Sequence, residues 1–297
     1  MSVVINTRNR PEHLSMVLKA LSRQTGVSGG FEILIVDDGS DCDLAPILDG
    51  CSAADTRLIR QPPLGYTVAR NAGLRAATGA VVLCLDDDVL FSDDLVAEHL
   101  RGHCRDGADV VVGDRFNTYM HRPFSEANQR AQDDALDGDW SGIKKLTRPD
   151  YYASRTFKVF DLDPGGLPAP WLCFVTRNVS FRRADALRVG AFDEGFTRWG
   201  VDDVELGLRL HQAGARYQYR PQAAVHHLET PIAPTKLEAL TESLEYFAQK
   251  HPGTEPIAFR EFVFGRMALE ELCASVESRQ CVTFDVRNNL TWFRTQR

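Results

Sequence analysis

The chain has 297 residues, and its 41 acidic and 34 basic side chains give a formal net charge of −7. Hydrophobic residues make up 43% of the sequence, which is enough for a substantial core in one large or two small domains. The acidic balance argues against a nucleic-acid-binding protein, because such proteins gather Lys and Arg on one face to neutralise phosphates.

The apolar runs and the cysteines of the sequence bear on where the protein is located. No apolar run approaches the roughly 18 residues needed to span a bilayer. The apolar stretch Ser2–Ile5 is too short for a signal peptide and runs directly into polar residues. Seven cysteines without a C-x-x-C pair suit a reducing compartment better than a disulfide scaffold or a structural zinc site. We therefore expect a cytoplasmic protein.

The N-terminal part alternates short apolar runs with segments of helical periodicity. The pattern predicts strands at 2–5, 31–36, 56–59, 80–85 and 108–112, and helices at 11–24, 44–51, 66–77 and 93–104. Continuous apolar strands separated by helices are typical of a parallel sheet that is covered on both faces. We therefore expect an open, mostly parallel α/β sheet.

The alternation breaks at Asp114. Residues 115–170 are polar and show no clear periodicity, which is typical of a functional or partly mobile segment. After it, the pattern predicts regular structure at 171–175, helices at 182–189 and 201–213, strands near 216–220 and 223–227, and helices from about Thr235. We expect residues 1–114 and 115–232 to be two halves of one domain, with 233–297 as a helical extension.

Acidic residues follow two of the predicted strands. Crossover helices return the chain to one edge of a parallel sheet, so these residues meet where such sheets bind ligands. Asp37 and Asp38 follow the second strand, although turn residues explain this pair equally well.

The triplet Asp86-Asp87-Asp88, after the fourth strand, is harder to explain as a turn. Adjacent carboxylates repel one another unless a cation or hydrogen-bond donors lie among them. In extended chain, Asp86 and Asp88 can face one ligand while Asp87 faces away. Hard oxygen ligands favour Mg²⁺ or Mn²⁺, so the triplet predicts a site for one of these cations.

A second acidic group opens the helix predicted at 201–213. Asp202 and Glu205 have the spacing of a capping box, which favours a structural role for Asp202. Asp203 is not needed for capping, and the helix dipole helps to keep its carboxylate ionised. An ionised carboxylate beside a pocket can serve as a general base for a hydroxyl.

Two pairs of histidines also attract attention. His226 and His227 lie on a predicted strand, so their side chains point to opposite faces and only one of them reaches a given site. His99 and His103 have helical i,i+4 spacing without a third ligand nearby, which favours a solvated helix face.

Six motifs together resemble family 2 glycosyltransferases of the GT-A fold. They are SVVINTRNRP (2–11), DDGS (37–40), ARNAG (69–73), LDDDV (85–89), GAFDE (190–194) and WGVDDVEL (199–206). Each motif is weak alone, but their order and spacing are distinctive. The resemblance spans residues 2 to about 230. It implies a nucleotide-sugar donor half in 1–114, an acceptor and catalytic half in 115–232 and an inverting mechanism.

The resemblance also implies roles for individual residues. Six residues would bind the donor: Asn6, Arg8, Asp38, Arg70, Asp86 and Asp87. Asp88 and the downstream His227 would bind Mn²⁺ or Mg²⁺, and Asp203 would be the catalytic base. Trp199 and Asp202 would bind the acceptor. Asn6 and Arg8 stand where the family usually has Pro and Tyr, which leaves the base of the donor open.

The function expected from these features is metal-dependent, inverting transfer of a sugar from a nucleoside-diphosphate sugar. A UDP-sugar is the first expectation, with GDP- or dTDP-sugars as alternatives, and the acceptor would be a carbohydrate or another small molecule. Two other functions stay open: a sugar-1-phosphate nucleotidyltransferase and a non-catalytic nucleotide-sugar-binding protein. The long segment 115–170 could close as a lid over the donor. The C-terminal helices are expected to pack on the domain or to form a homodimer.

Overall fold

The computed structural model describes residues 1–49, 55–157, 159, 169–229 and 235–278. Its strands are β1 (Ser2–Thr7), β2 (Glu32–Asp38), β3 (Asp55–Gln61), β4 (Val81–Asp86), β5 (Val89–Phe91), β6 (Val110–Thr118), β7 (Thr147–Pro149), β8 (Asn178–Arg182) and β9 (Tyr217–Leu228). Its α-helices are α1 (Pro11–Ser22), α2 (Ala45–Asp49), α3 (Tyr66–Ala76), α4 (Leu95–Cys104), α5 (Glu126–Leu136), α6 (Ser141–Leu146), α7 (Tyr151–Thr156), α8 (Arg183–Arg188), α9 (Asp202–Gln212), α10 (Lys236–Lys250), α11 (Thr254–Val263) and α12 (Leu269–Ser278).

The described strands form one sheet in the order β3-β2-β1-β4-β8-β6-β9-β5, and β7 pairs with β6. β1 to β4 are parallel, as the sequence pattern predicts. Beyond β4 the sheet is mixed, because β8 runs antiparallel between β4 and β6 while β9 is parallel to β6. The two strands predicted near 216–220 and 223–227 are one strand, with a register shift opposite Gly113 and Asp114.

Helices cover both faces of the sheet. Val3 and Ile5 of β1 pack in the same cluster as Leu14 of α1, whereas Val4 packs with Leu74 of α3 on the other face. Alternate residues of a strand point to opposite faces, so the apolar run of β1 supplies both cores. The predicted open α/β architecture is confirmed.

The expected lack of regular structure in 115–170 is wrong for its described part. β6 continues to Thr118, and α5, α6, β7 and α7 follow. α5 escapes detection because its apolar stripe is narrow, with only Gln132, Ala135 and Leu136 buried. Residue 158 and residues 160–168 lie outside the described chain, and the regular structure expected at 171–175 is a short 3₁₀ helix over Pro170–Cys173.

The solvated face predicted for His99 and His103 is also wrong. His99 bonds Ser180 Oγ at 2.9 Å and Asn178 Oδ1 at 2.8 Å, and His103 Nε2 lies 2.8 Å from the same Ser180 Oγ. Burial lowers the pKa of His99 to about 3 and that of His103 to about 4, which keeps both rings neutral. The pair therefore fastens α4 to β8.

The C-terminal helices share the core of the domain. Phe247 of α10 and Phe259 of α11 pack edge-on against Trp171, with ring centroids 6.5 Å and 5.5 Å from its own. Polar contacts reinforce the packing, because the buried Glu205 of α9 pairs with Lys250 and His251 at 2.8 Å each. Among the described residues, each helix is too short or too polar to span a bilayer.

Replacing Glu205 should loosen this packing. Burial opposes ionisation, but hydrogen bonds from His251 and Arg209 hold the pKa of Glu205 at about 2, below its ordinary 4.5. We expect Glu205→Gln to lower the free energy of unfolding by about 3 kcal/mol, because it leaves the partly exposed Arg209 and Lys250 side chains without their buried counter-ion.

Urea unfolding at several pH values measures this effect. The folded-state pKa lies below the unfolded value, so the stabilisation is present above pH 4.5 and is lost as the pH falls toward 2. Glu238→Gln, at an exposed position of α10, is the matched control. Equal losses in the two variants would contradict this account.

Candidate functional site

Three side chains from different strand ends form a compact ligand cluster. One ligand atom from each of Asp86, Asp88 and His227 lies within 4.8 Å of the others. β5 runs antiparallel to β9 and pairs Val89 with His227, which brings the histidine to the end of β4. His227 Nε2 is 3.2 Å from Asp88 Oδ1, and its Nδ1 is 2.9 Å from Glu229 Oε1.

The neighbouring His226 points to the other face, as the strand pattern predicts. Its ring stacks against Phe116 and Trp140 at centroid distances of 5.3 Å and 5.1 Å. Burial lowers the pKa of His226 to about 4, so it is a neutral packing residue. The geometry thus selects His227, and not His226, for the cluster.

Asp86 and Asp88 share the cluster, as predicted, and Asp87 lies outside it. Asp87 accepts hydrogen bonds from Thr7 Oγ1 at 2.7 Å and from Arg10 Nη1 at 2.9 Å. Burial raises the pKa of Asp87 to about 7, despite the opposing charge of Arg10. The same Arg10 nitrogen also bonds Asp88 Oδ2 at 2.8 Å. Arg10 is a site residue that the sequence reasoning did not select, although it ends the basic loop after β1.

The cluster fits a divalent cation. Burial would raise the pKa of Asp88, but the nearby His227 and Arg10 hold it well below the ordinary aspartate value, so the carboxylate is ionised. Two carboxylates and an imidazole are suitable ligands for Mn²⁺, and the carboxylates also suit Mg²⁺.

A cavity of about 280 Å³ opens beside this cluster. The structure brings seven predicted residues together in its lining: Asn6, Arg8, Asp38, Arg70, Asp86, Asp87 and Asp88. Arg10, Tyr66 and Thr176 line it as well. Parallel strands β1, β2 and β4 end at the same edge, which explains the convergence.

Two lining residues hold the loop between β3 and α3. The Asp38 carboxylate accepts hydrogen bonds from Gln61 Nε2 at 2.8 Å and from the backbone N–H groups of Leu64 and Gly65 at 2.9 Å and 3.0 Å. Asn6 Nδ2 donates to the Tyr66 carbonyl at 3.2 Å, while its buried Oδ1 has no hydrogen-bond partner in the described structure. Both side chains are therefore fixed before any ligand binds.

Arg70 lines the cavity and contacts the first residue of α9, Asp202. Its guanidinium forms an ion pair with Asp202 and lies 5.2 Å from the ring centroid of Tyr66. The predicted capping box does not form: the N-cap residue is Val201, which makes no side-chain cap, and Glu205 turns instead to Arg209, at 2.6 Å. Asp202 thus pairs with Arg70 of α3, and Glu205 pairs within its own helix and with the C-terminal helices, instead of forming the local cap.

Asp203 lies next to the cavity wall. Its Oδ2 accepts a hydrogen bond from the backbone N–H of Thr176 at 3.2 Å, and Thr176 lines the cavity. Burial raises the pKa of Asp203, against the lowering effect of Arg70, so the expected stabilisation by the helix N-terminus does not dominate. A carboxylate with a raised pKa is a stronger base than an exposed one.

The two residues expected to bind an acceptor differ in access. Trp199 is 45% exposed, and Lys236 Nζ lies 4.2 Å from the centroid of its ring. Asp202 is only 3% exposed because it is buried against Arg70.

Known proteins match this chain in sequence and in fold. The family described as "Glycosyl transferase family 2" matches residues 2–167, and "N-terminal domain of galactosyltransferase" matches residues 161–231. Validoxylamine A glucosyltransferase from Streptomyces hygroscopicus subsp. limoneus is 32% identical over 92% of this chain and 62% of its own length. The chain therefore spans less than two thirds of that relative. Hyaluronan synthase from Pasteurella multocida is 28% identical over 78% of this chain and 25% of its own.

Solved structures share the fold. The S. aureus TarS 1-349 complex with UDP superposes with a TM-score of 0.60 at 16% identity, covering 91% of this chain and 76% of that one. Mannosyltransferase PcManGT from Pyrobaculum calidifontis, in complex with GDP-Man and Mn²⁺, gives 0.55 at 16% identity, covering 93% and 68%. These likenesses confirm the GT-A type of sheet expected from the sequence.

The candidate cation site can be tested by substituting the two adjacent histidines one at a time. We expect His227→Asn to weaken Mn²⁺ binding by at least tenfold, because it removes a ligand atom from the cluster, whereas His226→Asn should leave the affinity within threefold. Electron paramagnetic resonance titration of free Mn²⁺ measures both. Equal weakening in the two variants would contradict the assignment of His227.

Proposed function

Because the chain belongs to glycosyl transferase family 2, we propose that it transfers a sugar from a nucleoside-diphosphate sugar to an acceptor hydroxyl, with a divalent cation and inversion at the anomeric carbon. The observation that supports this proposal is that a cluster able to hold a cation and a buried carboxylate, Asp203, both lie beside one cavity. Residues 1–114 would form the donor half and residues 115–232 the acceptor half.

The leaving group is a nucleoside diphosphate, so negative charge develops on its phosphates. Asp86, Asp88 and His227 would hold Mn²⁺ or Mg²⁺, which when bound stabilises that charge. Arg10 holds Asp88 in place through Oδ2 and leaves Oδ1 facing His227. Asn6, Arg8 and Asp38 line the part of the cavity where we place the nucleoside.

The nucleophile is an acceptor hydroxyl, which is weak until it loses its proton. Asp203 would accept that proton as the hydroxyl attacks the anomeric carbon. Its raised pKa favours proton uptake, and the hydrogen bond from Thr176 fixes one carboxylate oxygen. A single base on the face opposite the leaving group gives direct displacement with inversion. The exposed ring of Trp199 offers a stacking surface for a carbohydrate acceptor.

The donor we propose is a UDP-sugar. TarS structures contain UDP or UDP-GlcNAc, and PcManGT contains GDP-Man, which keeps a GDP-sugar as the alternative. A nucleotidyltransferase is disfavoured because the end of β1 and the loop after it, residues 6–10, contain no glycine to cradle a triphosphate.

Replacing Asp203, the proposed base, tests whether this residue is needed for sugar transfer and not for nucleotide binding. We expect Asp203→Asn to lower the rate of Mn²⁺-dependent UDP release from UDP-glucose by roughly 10²–10⁴-fold, because the amide cannot take the acceptor proton. Calorimetric binding of UDP with Mn²⁺ should stay within threefold. Because the pKa of Asp203 is raised, wild-type activity should fall on acidification at a pH above the ordinary aspartate range. Undiminished turnover in the variant, or a product with retained configuration, would refute the mechanism.

A screen of nucleotide sugars with and without Mn²⁺ identifies the donor. A donor at 100 times its dissociation constant should stabilise the protein by about 2.7 kcal/mol, seen as a raised melting temperature. EDTA should remove most of this stabilisation. A protein that binds a donor with Mn²⁺ but never turns it over, even in wild type, would be a nucleotide-sugar-binding protein instead.

A further inference from the structure

The proposed function defines where the transferred sugar must lie. Its anomeric carbon has to sit between the diphosphate, next to Asp86 and Asp88, and the base at Asp203. One short segment reaches both sides of that space. Thr176 donates to Asp203, and Arg177 Nε lies 3.6 Å from Asp86 Oδ2. The Arg177 guanidinium is therefore beside the position of the sugar.

A second carboxylate, that of Asp150 in the proposed acceptor half, also pairs with Arg177. Arg177 Nη1 donates to Asp150 Oδ2 at 3.0 Å. Asp150 is itself fixed as the N-cap of α7, where Oδ1 accepts a hydrogen bond from the Ala153 N–H at 2.7 Å. The guanidinium is thus held between β4 and α7 before any ligand arrives.

Arg177 keeps donors free for a ligand. Its buried Nε makes no hydrogen bond within the described structure, and its side chain is still 21% exposed. A guanidinium carries five N–H donors, and only Nη1 has described hydrogen-bond acceptors, Asp150 and, at 3.4 Å, Asn117. Nε faces Asp86, so the Nη2 donors are the ones available to sugar hydroxyl oxygens.

We propose that Arg177 binds the sugar that is transferred, that Asp150 positions it, and that the pair selects a neutral hexosyl donor. This inference rests on the proposed function. Asp150 pairs with the guanidinium and compensates its charge, whereas the charge of Asp86 would be compensated by the cation, so a sugar carboxylate beside Arg177 would meet the negative charge of Asp150. Sugar hydroxyls accept hydrogen bonds without that repulsion.

Calorimetry of Arg177→Gln tests the sugar contact. With Mn²⁺ present, we expect about a tenfold loss of affinity for UDP-glucose, the size of one charge-assisted hydrogen bond. The affinity for UDP should stay within threefold, because Arg177 touches the sugar and not the nucleotide. GDP-mannose and GDP form a second ligand pair for the same comparison. Arg177→Lys, which keeps the charge, should recover part of the loss.

Asp150→Asn tests the charge selection. Asparagine can still cap α7, so the change removes one negative charge at nearly constant shape. We expect wild type to bind UDP-glucuronate at least tenfold more weakly than UDP-glucose. In the variant, this gap, the ratio of the two dissociation constants, should be at least threefold smaller than in wild type. Asp109→Asn, which removes a carboxylate paired with Arg182 away from the cavity, should leave the gap unchanged.

The outcomes separate this inference from the proposed function. If Arg177→Gln weakens UDP and UDP-glucose equally, or weakens neither, Arg177 does not bind the sugar. An unchanged gap in Asp150→Asn would overturn the charge selection. Should wild type bind no nucleoside diphosphate with Mn²⁺, the proposed function fails and this inference fails with it.

Discussion

Negative charge collected at one edge of a sheet has to be balanced, and that requirement shapes this cavity. Parallel strands place Asp86, Asp87 and Asp88 at the same rim as the loop after β1. Arg10, in that loop, donates hydrogen bonds to Asp87 and Asp88, and Arg177 lies beside Asp86. Each of these arginines comes from a different element than the carboxylate that it faces, so these ion pairs also link separate elements of the fold.

The same principle extends to the start of α9. Asp202 and Asp203 are buried side by side, which would be costly without Arg70 against Asp202 and the Thr176 N–H against Asp203. Arg70 comes from α3, whereas Thr176 precedes β8. The geometry at the proposed base is thus set by two elements that lie far apart in the chain, and Glu205 in the first turn of α9 anchors the C-terminal helices to that helix.

Much of this arrangement was predictable from the sequence, for reasons that differ by residue. The grouping of Asp86 with Asp88, and the opposed directions of His226 and His227, follow from the period of an extended chain. The shared edge of β1, β2 and β4 follows from parallel connection through helices. By contrast, the burial of His99 and His103 depends on their contacts with β8. This buried strand contains the polar residues Asn178 and Ser180, so its sequence does not look like that of a buried strand.

The sequence by itself determined the parallel half of the sheet, the acidic triplet and the family resemblance, because hydrophobic periodicity and short motifs are local properties. Only the tertiary structure decided which histidine joins the cluster, that Arg10 lines the cavity and Arg177 lies beside Asp86, and that Asp202 pairs with Arg70 instead of capping its helix. These outcomes depend on contacts between residues far apart in the chain. Such contacts are fixed by which elements pack together, and no local pattern encodes them.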